Sequence, residues 1–399
     1  MKVAMVSTAK SRGGAARMAS TLASGIKNLD ASVSIQFYHC DDNKQQKGIT
    51  GLKRPLSREL NAMLARVGGA RLVFDGGVAD QIIKETQDAD ILHIHNLHGY
   101  YLNYEKLLNA WTDKPILWTW HDMWGATGRC GFSFDCNGWQ TGCGKCEYKE
   151  YYPTAWLDFS AQEFKAKTQL YSKLSKLFIA SPSHWLADIA VERGFDKAHV
   201  SVVPNPVDTQ SYQVMDVSEA KKSLKLDDKK YILFVAADCN DERKGYEDFL
   251  AVIKKTQLNG LVVGKAPEKR SDKITYAGAV NSSIELSKYY SAAEVMIITS
   301  KQDNYPNTVV ESMACGTPVL GYAVGGIPSQ MPEFWDGVVP ANDVKKLAKR
   351  LKTYMGKGGK NTELQSEFRL HVEANSSPES VSQQYLDLYK ELLNKNNTL

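Results

Sequence analysis

Short runs rich in branched and aromatic residues alternate with helical stretches along the whole chain, the grammar of a parallel sheet flanked by helices. In the first half the pattern predicts strands over residues 2–7, 33–38, 91–95, 116–120, 177–181 and 200–203. In the second half it predicts them over 231–236, 261–263, 274–277, 295–299 and 319–322. Between the halves, Val203-Pro204-Asn205-Pro206-Val207-Asp208 carries two prolines that interrupt helix and strand alike, so it reads as a linker. The last segment opens with Ser377-Pro378-Glu379, an N-cap followed by a first-turn proline and acid. Val381, Tyr385, Leu388 and Leu392 then recur at helical spacing, and such a stripe must dock on something. The reading is an α/β protein of two domains, 1–205 and 206–375, with a C-terminal helix over 376–399.

Composition agrees with two domains, because 399 residues are too many for one ordinary hydrophobic core. The formal net charge of +4 is too weak a bias to argue for nucleic acid as a partner. No apolar run reaches the ~20 residues of a membrane-spanning helix, and the first strand leads into Ser7-Thr8-Ala9-Lys10, not a long apolar signal region. The expected location is the cytoplasm. The one compositionally odd stretch, residues 352–361, reads as a Gly/Lys-rich loop without a function.

Three places carry candidate chemistry. The segment from Ser7 to Arg17 leaves the first strand and enters a helix through Gly13 and Gly14. Glycines there let backbone approach a ligand, and the helix start offers unpaired N–H groups to a phosphate or a sugar hydroxyl. The spacing is not the G-x-G-x-x-G of dinucleotide binders, although Asp41 or Asp42 could mimic their ribose-binding acid, and a plain turn is the alternative.

Asp241-Glu242-Arg243-Lys244-Gly245 sits where a strand end meets a helix start, the edge at which open α/β sheets bind ligands. Two cations there would stabilise a diphosphate leaving group; a solvated charged loop is the alternative. Finally, Asp303 follows the 295–299 strand, and Asn307 reads as the N-cap of a helix through Cys315, with Gly316 ending it and Pro318 preventing continuation. The helix start at Asn307, Thr308 and Val309 would offer N–H groups to phosphate, with Glu311 one turn further in. A carboxylate accepts two hydrogen bonds side by side, which suits the vicinal hydroxyls of a ribose for one acid and of a hexose for the other.

These residues resemble the retaining glycosyltransferases of family 4, whose signature is E-x-x-x-x-x-x-x-E followed by an A-x-G-x-P turn and a G-G-I-P loop. Asp303 and Glu311 stand at that spacing, followed by Ala314-Cys315-Gly316-Thr317-Pro318 and Gly325-Gly326-Ile327-Pro328. The resemblance extends in order through Gly13-Gly14-Ala15-Ala16-Arg17, His121-Asp122, Ser181-Pro182-Ser183, the Pro204 to Asp208 linker, Lys244-Gly245 and Ser291-Ala292-Ala293-Glu294, over nearly the whole chain.

It implies the GT-B fold, with two Rossmann-like domains facing a cleft, acceptor-binding at 1–205 and nucleotide-sugar-binding at 206–375, and the terminal helix packing back on the first. It implies transfer of a hexose from a nucleotide diphosphate sugar, with UDP the expected carrier, to a glycan or lipid-linked glycan in bacterial surface polysaccharide synthesis. Residue by residue, Glu311 would hold the ribose and Asp303, one methylene shorter than the family's glutamate, the sugar hydroxyls. Lys244 would meet the diphosphate; Arg243 stands in for an arginine that the family carries earlier, where this chain has Ala237-Asp238-Cys239-Asn240. His121 would lie near the reacting sugar and Gly14 against the diphosphate. No cofactor is required in that scheme. A nucleotide-sugar epimerase or phosphorylase on the same fold, or a non-catalytic binder, are the rival readings.

Three further features stand beside this frame. His93, His95 and His98 fall within six residues and invite a metal reading, but His93 and His95 share one face of a strand, and the family commonly reads D-x-x-H-x-H there. Asp88-Ala89-Asp90 spells a D-x-D but merely precedes that strand. Cys130, Cys136, Cys143 and Cys146 lie within seventeen residues, and four thiolates in one loop can satisfy a structural zinc. Free thiols packed against Trp124 and Trp139, or disulfides, are the alternatives. Lys44, Lys47, Lys53, Arg54, Arg58, Arg66 and Arg71 face the single acid Glu59, and Leu56, Leu60, Met63, Leu64 and Val67 form one helical stripe. That basic amphipathic helix is expected to dock on its own domain, the alternative being an anionic membrane surface.

Overall fold

The computed structural model describes residues 1–10, 13–42, 44–53, 57–265, 267–268 and 270–396, with Asn396 described by its backbone alone. Backbone contacts divide the chain into two units, Met1–Pro204 with Val381–Leu399, and Asn205–Ser380.

The first unit is built on eight strands: β1 (Lys2–Val6), β2 (Ser34–His39), β3 (Gln45–Gln46), β4 (Ile49–Gly51), β5 (Ile91–Ile94), β6 (Ile116–Thr119), β7 (Leu177–Ser181) and β8 (Val200–Val202). They lie in the order β3-β4-β2-β1-β5-β6-β7-β8, all pairs parallel except β3 with β4. Every residue of β5, β6 and β7 is buried, as strands covered by helices on both faces must be, and this explains why they are mostly apolar, His93 of β5 being a buried exception. The chain leaves β1 to one side for β2 and returns to its other side for β5. The loops after β1 and β5 therefore diverge, opening a crevice at the carboxyl edge of the sheet.

The second unit repeats the plan with β9 (Tyr231–Asp238), β10 (Asn259–Lys265), β11 (Ile274–Gly278), β12 (Ala293–Ile298), β13 (Val319–Tyr322) and β14 (Val338–Val339), in the order β11-β10-β9-β12-β13-β14. Here the order reverses at β9, so the loops after β9 and β12 diverge in the same way.

The terminal helix Pro378–Asn396 belongs to the first unit's core. Its Val381, Tyr385, Leu388, Tyr389 and Leu392 are buried with Val3, Met5, Leu22 and Ile26. Ser377 caps its start, Oγ accepting from the Ser380 amide at 3.2 Å. Among the described residues no helix is long and apolar enough to cross a membrane.

The structure corrects three expectations. Strands β3, β4 and β14 were not anticipated, because two or three residues are too few to show a period of two. The Gly/Lys-rich stretch is helical to Gly356, as part of the helix Val344–Gly356. The basic helix, Arg58–Gly68, docks on its domain with the opposite face from the one its apolar stripe marks. Asn61, Ala62 and Ala65 are buried, whereas Leu60, Met63 and Val67 are 47%, 42% and 43% exposed. The alanines allow close approach, and the Asn61 amide is satisfied twice by the Phe74 backbone, donating to its carbonyl at 2.9 Å and accepting from its N–H at 3.0 Å. Arg54 and Leu56 of that stretch, and Ser11 and Arg12 of the glycine loop, lie outside the described residues.

Candidate functional site

The divergent loops of the second sheet bring its candidate residues together. After β9, the Asp241 carboxylate accepts from the Arg243 amide at 3.0 Å and starts the turn Glu242–Lys244. Gly245 follows at φ +69°, where an added Cβ would lie 2.0 Å from the carbonyl oxygen of Thr299. Only glycine lets this turn close against the end of β12. The closure sets Lys244 Nζ 2.7 Å and Arg243 Nη1 3.1 Å from the same oxygen, Oδ2 of Asp303. Arg243 also donates to the Gln302 carbonyl at 3.3 Å and pairs with Asp241 at 3.3 Å. Burial pushes the Asp303 carboxyl up, but Lys244 and Arg243 outweigh it and hold the group below its ordinary pKa.

The Gly-Gly-Ile-Pro loop clamps the same residue from the other side. The Gly326 amide donates to the Asp303 carbonyl at 3.1 Å, and at Gly325, φ +53°, a Cβ would fall 1.9 Å from that oxygen.

The next helix runs Asn307–Ala314 and begins after Pro306, with no side-chain cap. Asn307 is its first residue, not its N-cap: Pro306 holds the cap position with extended backbone, and the Asn307 side-chain amide is engaged elsewhere, its Oδ1 accepting from Asn205 Nδ2 at 3.2 Å. The leading amides, at Asn307 and half-buried Thr308, are those that an α-helix leaves without internal partners. Glu311 is buried one turn in, and its Oε2 accepts from the Tyr290 hydroxyl at 2.9 Å. Tyr290 was not foreseen, although it directly precedes the Ser291-Ala292-Ala293-Glu294 block. Its carbonyl accepts from Thr317 of the Ala-Cys-Gly-Thr-Pro turn at 2.7 Å, so that turn steadies the acid's partner.

In the first unit, the crevice between the loops after β1 and β5 is a pocket of about 230 Å³ whose lining includes Gly13, Gly14, Asp41, Asn96, His98 and Tyr152. Its histidine is His98, a residue that sequence reasoning singled out only as a metal candidate. His98 Nε2 lies 3.1 Å from Asp122 Oδ2, and its ring stacks on Trp124 at 5.5 Å. Asp122 follows β6, the sheet neighbour of β5, so the contact exists only once those strands pair. Burial raises the Asp122 carboxyl, but His98 brings it back below its usual range.

His121 lies behind, Nε2 3.1 Å from His95 Nδ1, and burial lowers its pKa to about 4, leaving it neutral near pH 7. His93 is held by the Tyr389 hydroxyl at 2.6 Å and Thr119 Oγ1 at 2.8 Å, and burial brings it to about 3. The three clustered histidines thus meet different partners: Tyr389 and Thr119 for His93, His121 for His95 and Asp122 for His98.

The four cysteines of the loop, Cys130, Cys136, Cys143 and Cys146, are half-buried. Among the described residues no three His, Cys, Asp or Glu side chains gather to hold an ion, and all seven cysteines are free thiols. Two buried basic side chains organise the loop, and burial lowers the pKa of one of them, Lys167, to about 7. Lys167 Nζ donates to the carbonyls of Trp124, Thr127 and Gly128 at 2.7, 3.1 and 3.3 Å and lies 3.3 Å from the centre of the Trp124 ring. Arg129 donates to the carbonyls of Tyr148, Lys149 and Tyr151 at 3.1–3.3 Å. Burial pushes the Cys130 thiol up to about 11, which keeps it protonated.

Comparison with known proteins fits this geometry. The model of Glycosyltransferase Family 4 matches residues 12–211, half of the chain, and that of Glycosyl transferases group 1 matches 229–357. The chain is similar to WcaC of Escherichia coli (strain K12), named as a colanic acid biosynthesis glycosyl transferase, with 26% identity over 325 residues and 78% of each chain covered. Among solved structures it resembles sucrose-phosphate synthase from Thermosynechococcus elongatus, with a TM-score of 0.72 at 18% identity over 99% of this chain and 100% of that one. It also resembles Anabaena HepE in complex with UDP-glucose, with a TM-score of 0.67 at 12% identity over 98% and 100% of the two chains. The structural matches carry the GT-B fold and the family models carry the membership: the chain belongs to glycosyltransferase family 4 and is a glycosyltransferase.

Proposed function

We propose that the protein moves a hexose from a nucleotide diphosphate sugar, with UDP as carrier, to a hydroxyl of a glycan or lipid-linked glycan, retaining the anomeric configuration, in the building of a bacterial surface polysaccharide. The observation that carries this reading is the convergence of Lys244 and Arg243 on Asp303, immediately ahead of the Asn307–Ala314 helix with Glu311 buried inside it.

A diphosphate gains negative charge as its bond to the sugar breaks. Lys244 and Arg243 are donors already ordered on one oxygen, four residues ahead of the helix whose leading amides would add to them, so stabilising that charge requires little reorganisation. Glu311, steadied by Tyr290, would accept from the two ribose hydroxyls. Asp303 stays ionised beside its cations and is therefore purely an acceptor, suited to sugar hydroxyls when Lys244 turns toward phosphate. His121, neutral at pH 7, would bond the sugar or acceptor without adding charge.

The names of the similar proteins support the substrate classes: one is bound to UDP-glucose and another is named for colanic acid biosynthesis. A peripheral position on the inner face of the plasma membrane belongs to the same reading, since a lipid-linked acceptor resides there.

A thermal-shift screen of UDP-, GDP- and other nucleotide sugars tests base and sugar together. A UDP-sugar should stabilise the chain most, and indifference to every sugar nucleotide would sink the donor assignment. Incubating the stabilising donor without acceptor then separates transfer from epimerisation, which alone yields an epimer under those conditions.

A further inference from the structure

Lys360 stands near the end of the Gly/Lys-rich stretch, to which sequence reasoning gave no function, and its ammonium bonds into the second unit. Nζ donates to the Ser291 carbonyl at 2.7 Å and to Thr317 Oγ1 at 3.2 Å. Thr317 Oγ1 in turn donates to the Tyr290 carbonyl at 2.7 Å. Both carbonyls belong to the last turn of the helix Ser283–Ala292. The final carbonyls of a helix have no following turn to bond them and form the negative end of its dipole, so a cation is the fitting partner there. Burial lowers the Lys360 pKa to about 8, with Glu294 acting in the opposite direction, so the group is charged at pH 7.

The glycines ahead of Lys360 make this reach possible. Past the helix Val344–Gly356, Gly358 and Gly359 take φ of +105° and +77° and turn the chain back. The Lys360 amide then donates to Glu294 Oε2 at 3.3 Å. Glu294 is buried in β12, and its carbonyl accepts from the Tyr354 hydroxyl of the same helix at 3.1 Å. The stretch is thus fastened to β12 on both sides of its glycines.

We infer that Lys360 is a positioning residue for nucleotide binding, fixing the helix end that carries Tyr290, whose hydroxyl holds Glu311. The Tyr290 ring is fully buried, so its bond of 2.9 Å to Glu311 Oε2 depends on where the backbone of that turn lies. A displacement of about 0.7 Å along that bond would take it out of hydrogen-bonding range. Lys360 acts on the nucleotide through Thr317 and Tyr290, and the inference rests on Glu311 being the ribose acid, as proposed above.

A double-mutant cycle, read by calorimetry of UDP binding to the full chain, tests it. Lys360→Met keeps most of the side chain and removes the charge. It should weaken UDP binding about fivefold or more in the wild-type background, but less than about twofold beside Tyr290→Phe, where the bond it protects is already gone. Thr317→Val removes the bridging hydroxyl with little change of shape and should repeat the pattern, so the result does not hang on Lys360→Met folding. Equal losses in the two backgrounds overturn the inference. So does a UDP affinity that neither variant alters while the melting temperature falls, which would leave Lys360 a structural residue only. If Tyr290→Phe and Glu311→Ala themselves leave UDP binding unchanged, the ribose assignment fails and this inference falls with it.

Discussion

Lys244 Nζ and Asp303 Oδ2 meet at 2.7 Å across 59 positions of the chain. The contact ties the turn after β9 to the loop after β12, and it places the cation expected at the diphosphate on the acid expected at the sugar. Lys244→Ala should lower turnover by about two to three orders of magnitude, as loss of a charge-stabilising donor does. Arg243 remains on Asp303 in that variant, so the fold should persist, as an unchanged circular dichroism spectrum would verify. A kcat near wild type would remove Lys244 from the chemistry.

Tyr290 and Glu311 form a buried pair whose loss should be felt in nucleotide affinity. Tyr290→Phe deletes one hydrogen bond to a buried carboxylate, worth roughly 1.5–3 kcal/mol, so UDP should bind about ten- to a hundredfold more weakly by calorimetry. Glu311→Ala should weaken it further. If both variants bind UDP as wild type does, the ribose is held elsewhere.

Gly325 and Gly194 both have positive φ, yet they should respond differently to alanine. At Gly325 the new Cβ would collide with the Asp303 carbonyl, whereas at Gly194, φ +100°, it meets nothing within 4 Å. Gly194→Ala should cost only backbone strain, about 1–3 kcal/mol, with kcat intact. Gly325→Ala should cost more and also lower kcat, because Asp303 must move. Equal effects on kcat would contradict the clamp.

Acid should unfold the first unit before it strips the second unit's site. His93, His95 and His121 are all driven toward the neutral form, chiefly by burial, with His121 at about 4 and His93 at about 3. Below their ordinary value near 6.5 the unfolded chain binds protons that the folded chain refuses, so stability is lost as pH falls from about 6.5 toward 4. Asp303 has the opposite kind of group but the same consequence at lower pH: its depressed pKa stabilises the fold above the ordinary carboxylate range and is lost as pH falls through the folded value. Melts at pH 7 and pH 5 should show the lower melting temperature at pH 5; equal values would mean that the histidines are accessible to protons in the fold.

Much of the fold was legible because burial on both faces of a central strand leaves a nearly continuous apolar run, and such runs at β1, β5, β6, β7, β9 and β12 can be read without a partner. The basic helix shows where that kind of reading stops. Periodicity locates an apolar stripe, but whether the stripe or the alanine face turns inward depends on the surface it meets, and Phe74 decided it through Asn61. The same limit applies to Asn307, a good cap by type, whose side chain went to Asn205, and to the cysteine loop, whose spacing did not reveal that Lys167 and Arg129 tie its carbonyls.

By itself, then, the sequence determined two parallel α/β sheets, the loops that leave their carboxyl edges, and the residue types carried there. Those follow from local propensity, apolar period and turn chemistry, which act over a few residues. Only the tertiary structure decided which polar group each of them meets: Lys244 with Asp303, His98 with Asp122, Glu311 with Tyr290. A hydrogen bond or ion pair reaches about 3 Å, so its partner is chosen by strand order and loop closure, not by distance along the chain.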